Sequence, residues 1–182
     1  MTAVEAMLTH NDKFVAEKRF AAYSADKHPA KKIAVLTCMD TRLVALLPAA
    51  LGIRDGDVKM IKNAGALLTG PWDTTVRSLL VGIIELGVNE IMVIGHTDCG
   101  VAALSGDKMA EDLLARGIPQ SAIDEARQKV DFDAWFRGFE RVEDSVAATV
   151  SILRTHPLIP KDVVVRGYVM DTQTGKLTPL DR

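Results

Sequence analysis

Four short apolar runs mark the chain: Ile33–Thr37, Val58–Ile61, Ile91–Ile94 and Val163–Met170. Each has the length of a buried strand, and each is bounded by polar or turn-forming residues. Between them the apolar positions fall at helical spacing. Val76, Leu79, Leu80, Ile83 and Gly87 form one such set, and Phe139, Val142, Val146, Val150 and Leu153 another. Leu43, Leu46, Leu47, Ala50 and Leu51 form a third, interrupted by Pro48. Strands alternating with helices predict an α/β fold with a largely parallel central sheet of about four to five strands flanked by helices. Val4, Met7, Leu8 and Val15 add a helical N-terminal arm, able to pack on its own domain or on a neighbouring subunit. Residues 104–137 are charged and helix-prone and show no strand signal. No repeat or linker divides the chain, so a single domain over residues 1–182 is expected.

Three of the predicted strands end in chemically capable residues. CMDTR follows IAVLT, KNAGA follows VKMI, and GHTDCG follows IMVI. In open parallel sheets, sites form beyond the carboxyl ends of the strands. Composition narrows the partners. Net charge is −2 over 182 residues, with both signs interspersed, so no basic stripe points to nucleic acid. No apolar run approaches the ~20 residues of a membrane span. The early charges of MTAVEAMLTHNDKF do not read as a secretory signal, and two cysteines do not make a disulfide framework. A cytoplasmic location is expected.

Both cysteines, Cys38 and Cys99, lie at strand ends, as does His96. A helix beginning at Gly95 would put His96 and Cys99 on one face of its first turn. Cys38 would join them if its strand is a neighbour. Two cysteines and a histidine form a zinc set that leaves a fourth position for water or substrate. Thiolates favour zinc over hard cations. Two other readings stand beside this one: each cysteine could be a small buried hydrophobe, or the two could form a redox pair, although no C-x-x-C is present. Asp40 could accept a hydrogen bond from metal-bound water, take its proton, or close the site as a fourth ligand. Arg42, bidentate to that carboxylate, would hold it off the metal. The same pair could be a surface ion pair with a helix cap. Lys62-Asn63-Ala64-Gly65 could approach an anion through Gly65 or be an ordinary turn. No G-x-G-x-x-G, Walker A or G-x-S-x-G sequence supports a nucleotide or a serine nucleophile. His10, His28 and His156 read as surface or structural residues, and Trp72 and Trp135 as packing or interface residues.

The residues CMDTR and HTDC resemble the C-x-D-x-R and H-x-x-C signature of the β-class carbonic anhydrases. KNAG, VRSLLVGIIELGVNEIMVIGHTDCG, HPLIP and VVVRGYVMDTQTGKL extend the likeness over nearly the whole chain, closest to a short prokaryotic, methanogen-like subgroup. The resemblance implies one Zn²⁺ per subunit on Cys38, His96 and Cys99, with an Asp40–Arg42 dyad. It implies a substrate pocket near Gly65 and Gly100, with Lys62 and Val76 lining it. It also implies reversible hydration of CO₂ to bicarbonate and a proton, by attack of zinc-bound hydroxide, in a dimer or tetramer. Thr41 stands where many members have serine, and Ala66 where relatives often have asparagine. The plant-type glutamine and aromatic pocket residues have no counterpart. Hydrolysis of CS₂ or COS on the same site, or a non-enzymatic response to zinc or bicarbonate, are the alternatives.

Overall fold

The apolar runs become strands of one sheet: the central Ile33–Cys38 and Glu90–His96 are buried on both faces, while Val58–Asn63, at the edge, has no buried residue. The structure is a computed structural model and describes residues 1–180; the last two residues of the expected 1–182 unit lie outside it. In chain order the elements are α1 (Ala3–Ala16), β1 (Ile33–Cys38), α2 (Leu46–Leu51), β2 (Val58–Asn63), α3 (Thr74–Leu86), β3 (Glu90–His96), α4 (Gly106–Ala115), α5 (Gln120–Lys129), α6 (Phe132–Phe136), α7 (Val142–Thr155), β4 (Val164–Met170) and β5 (Leu177–Pro179). Short 3₁₀ turns occupy Arg19–Tyr23, Thr41–Leu43 and Ala64–Ala66.

The sheet order is β2-β1-β3-β4-β5. The first four strands run parallel and β5 pairs antiparallel with β4. Ala34 and Leu36 face one side with Ile91 and Val93, against Leu79 and Ile83 of α3 and Val146, Val150 and Leu153 of α7. Val35 faces the other side with Ile94 and Met170, against Leu47 of α2. Burying a leucine or isoleucine of this kind contributes about 2 kcal/mol relative to exposure. Pro48 does not break α2, because it sits in the first turn, where no intrahelical donor is required.

Two glycines let α7 approach the sheet. A Cβ on Gly95 would lie 2.6 Å from Val142 Cγ2, and one on Gly167 would lie 2.8 Å from Val146 Cγ1. Gly95 therefore serves close packing inside β3 and does not open a helix. That corrects the expected helix start: His96 ends β3, and α4 begins only at Gly106. A turn joins them, with Asp98 at φ 54°. Residues 104–137 fold as three short helices, α4 to α6. The N-terminal arm is helical over α1, and none of its residues is buried. Among the described residues no helix is long and apolar enough to cross a membrane.

Candidate metal centre

β1 and β3 are hydrogen-bonded neighbours in parallel register, with Thr37 opposite Ile94. The Thr37 hydroxyl donates to the Ile94 carbonyl at 3.0 Å, tying the strand ends together. This register brings Cys38, the last residue of β1, beside His96, the last of β3. The turn after β3 folds Cys99 back toward both. One ligand atom from each of Cys38, His96 and Cys99 lies within 4.8 Å of the others, and all three residues are buried. The two sulfurs are 3.8 Å apart.

His96 has a fixed tautomer. Its Nδ1 lies 2.9 Å from the Thr97 carbonyl, which only accepts, so Nδ1 carries the proton. Nε2 then offers a lone pair, and this buried atom has no hydrogen-bond partner. A buried unpaired acceptor costs about 1–3 kcal/mol. A basic nitrogen left unpaired beside two sulfurs is a donor set that fits a borderline-soft metal ion. The sulfurs are electrostatically poised as well. The Cys99 thiol lowers Cys38 to about 4 against the desolvation of its burial, helped by His96 and by the Gly65 N–H at 3.3 Å. The same Cys38 contact, with burial, pushes Cys99 up. Burial pulls His96 down, but the Cys38 sulfur and the Thr97 carbonyl outweigh it, and the net direction is up.

Asp40 does not continue the strand. It caps the 3₁₀ turn Thr41–Leu43, its Oδ1 accepting the Arg42 N–H at 2.8 Å. Arg42 therefore folds back on it. Nε donates to Oδ1 at 3.0 Å and a terminal nitrogen donates to Oδ2 at 2.8 Å. This contact lowers Asp40 to about 2 and raises Arg42. Oδ2 lies 3.9 Å from His96 Nε2, so the carboxylate borders the cluster while held by Arg42. The guanidinium also donates to Asp98 Oδ2 at 2.8 Å and to the Asp98 carbonyl at 2.7 Å. Arg42 thus clasps the loop after β1 to the turn that carries Cys99.

Of the remaining expected residues, Lys62, Gly65 and Gly100 adjoin the cluster and Val76 does not. Lys62 Nζ donates to the Cys38 carbonyl at 3.2 Å. Gly65, at φ 84°, gives its N–H to Cys38. Gly100 is exposed next to Cys99. Val76 lies in the core on the opposite face of the sheet from Cys38 and Cys99, with Leu79 and Ile83. A cavity of about 320 Å³ is lined among others by Asn63, Leu67, Val101, Leu104 and Phe136, and none of the three cluster residues lines it. Sequence reasoning gave no role to Thr97, Asp98 or Asn63, although the first two stand inside HTDC and the third inside KNAG. The acidic residue between His96 and Cys99 was the available signal for Asp98. Thr97 acts through its backbone carbonyl and Asn63 through its side-chain amide, and spacing reveals neither contact.

A family model described as carbonic anhydrase matches residues 33–177. The chain belongs to the β-carbonic anhydrase family. It is 47% identical over 178 residues to YtiB of Bacillus subtilis, a protein provisionally named a carbonic anhydrase, covering 97% of this chain and 95% of that one. β-Carbonic anhydrase isoform I of Trichomonas vaginalis superimposes with a TM-score of 0.89 at 33% identity, over 99% of this chain and 98% of that one. A protein of Saccharolobus solfataricus named carbon disulfide hydrolase is 34% identical over 160 residues, covering 81% of this chain and 76% of its own. The family therefore includes proteins named for two related reactions, and the Cys38–His96–Cys99 cluster lies inside the matched segment.

Proposed function

We propose that the chain is a zinc enzyme interconverting CO₂ and bicarbonate. The observation that carries this reading is the unpaired His96 Nε2, converging with two thiol groups while Asp40 is engaged by Arg42. Cys38, His96 and Cys99 would hold one Zn²⁺ per subunit. Zinc so held supplies a Lewis acid that makes water a nucleophile near neutral pH. Asp40 Oδ2 would accept a hydrogen bond or a proton from that water. Arg42, by occupying both carboxylate oxygens, keeps Asp40 from becoming a fourth ligand and fixes where the proton is received. Gly65 and the exposed Gly100, each beside a ligand cysteine, would border the substrate. Lys62 stiffens the strand ends behind Cys38, while Val76, in the core on the other face of the sheet, is left without a substrate-lining role. Stopped-flow CO₂ hydration on metal-replete protein, across about pH 6.5 to 9, tests the proposal. Turnover above buffer is expected, and its absence sinks the activity. Full zinc retention by Cys99→Ser would sink the ligand assignment.

A second reading keeps the site and changes the substrate to CS₂ or COS, which are linear electrophiles like CO₂. The relative named carbon disulfide hydrolase favours keeping it. Competition between CO₂ and CS₂ or COS for the same site discriminates. A third reading, a non-enzymatic protein responding to zinc or bicarbonate, predicts metal uptake without turnover at any pH. Self-association as a dimer or tetramer belongs to the proposal, because α1 displays Val4, Met7 and Leu8 with none of its residues buried on its own subunit. A cytoplasmic location, as a single domain, completes it.

A further inference from the structure

Asn63 stands directly opposite Cys38 in the β1–β2 register. Its carbonyl accepts the Met39 N–H at 2.9 Å, so the backbone next to the first sulfur is already tied to it. The side chain reaches the other way. Nδ2 donates to the Leu67 carbonyl at 2.8 Å and to the Thr75 hydroxyl at 3.2 Å. Its Oδ1 is buried and accepts no hydrogen bond from the described residues. Only the donor half of the amide is used, and an isosteric apolar residue would avoid the cost of that buried oxygen. The two bonds from Nδ2 must therefore matter.

They span an unfavourable piece of backbone. Gly65 is at φ 84° and Ala66 at φ 56°, two successive left-handed residues, and alanine disfavours that region. The bond from Asn63 to Leu67 closes the turn around this pair. The bond to Thr75 anchors it to the first turn of α3, where Asp73 caps the helix by accepting the Thr75 N–H at 2.7 Å. What the turn delivers is the Gly65 N–H, 3.3 Å from Cys38 Sγ. A donor on a ligating thiolate orients its lone pair toward the metal, which favours binding, and the charge it draws from the sulfur leaves the metal more Lewis acidic.

We infer that Asn63 is a positioning residue: through its bonds to Leu67 and Thr75 it holds the Gly65 N–H on the Cys38 sulfur. This rests on the zinc-ligand reading above. The experiment uses the full chain and compares the wild type with Asn63→Ala, Thr75→Val and Thr75→Ser. Zinc affinity is measured by chelator competition, the thiolate-to-metal absorption band of the cobalt-substituted protein by spectroscopy, and the Tm by scanning. Asn63→Ala is expected to weaken zinc binding about 10–100-fold and move the cobalt band to lower energy. Thr75→Val, which removes the acceptor for Asn63 together with the hydroxyl's contact to Asp73 and leaves Asn63 in place, should move both in the same direction by less. Thr75→Ser, which keeps the hydroxyl, should match the wild type. A lowered Tm in Asn63→Ala with wild-type zinc affinity and an unmoved band would overturn the inference, leaving Asn63 a brace only. If Asn63→Ala does not fold, Thr75→Val decides by the same two readouts. A wild type that takes up zinc only elsewhere, with no thiolate band, overturns the ligand reading itself and this inference with it.

Discussion

The Thr97 carbonyl claims the proton on His96 Nδ1, and that one contact leaves Nε2 facing the two sulfurs as a base. At Asp40 a similar local choice is made by Arg42. The carboxylate, lowered to about 2, is ionised throughout the working range. In Arg42→Leu its pKa should rise toward the ordinary carboxylate value of about 4, so it stays ionised at pH 7. What changes is its freedom to turn toward the cluster. Arg42→Leu is therefore expected to keep its zinc and lose at least about tenfold in CO₂ hydration near pH 7. Metal analysis beside stopped-flow rates checks this, and unchanged rates would remove Arg42 from the site. At this scale the chemically capable residues were legible, because cysteine, histidine and aspartate at strand ends have few bland explanations in combination. Asp98 and Asn63 were not. Their work depends on a turn at φ 54° and on a pair of left-handed residues, and neither leaves a periodic trace in the sequence.

Elements were read unevenly, for physical reasons. β1 and β3 carry continuous apolar runs, since both faces of these central strands are buried, whereas β2 has no buried residue and β4 is interrupted by the exposed Arg166. β5 has three residues, Leu177, Thr178 and Pro179, and its lone antiparallel pairing gives too short a pattern to detect. The expected helix at Gly95 failed because glycine there answers to Val142 and Val146 of α7, packed directly against β3. α3 offers a pH test away from the cluster. Burial works to raise the carboxyl of Asp73, but the N–H and hydroxyl of Thr75 and those of Thr69 prevail, and it is held below its usual range. A folded-state pKa below the unfolded one contributes stability that is present above the unfolded value and lost as pH falls through the folded one. Asp73→Ala should cost about 1 kcal/mol near pH 7. The gap to wild type should narrow below about pH 4, as measured by urea unfolding at both pH values. A gap independent of pH would show that the cap does not act through its charge.

At the scale of the molecule, the sheet order explains why the cluster forms where it does. β1 has β2 on one side and β3 on the other, and the chain's direction of winding switches between β1 and β3. Crevices at such switch points, beyond the carboxyl ends of the strands, are where open α/β sheets bind ligands. Cys38 and His96 terminate those two strands. The sequence pattern implied the class of fold but not the order, because strand neighbours are set by long-range pairing that no local window contains. The arm is the other molecular feature. Val4, Met7 and Leu8 are each more than half exposed, an apolar display that self-association would cover. Deleting residues 1–24 is expected to lower the oligomeric state in sedimentation velocity while residues 33–177 remain folded. An unchanged sedimentation coefficient per subunit would separate the arm from assembly.

The most direct test of the zinc-enzyme proposal couples two quantities on the same sample: zinc bound per subunit and the rate of CO₂ hydration. One zinc per subunit with turnover in the wild type is expected, and loss of both in Cys99→Ser. Turnover that persists in Cys99→Ser after its zinc is gone, or a fully zinc-loaded wild type with no hydration above buffer, would contradict it.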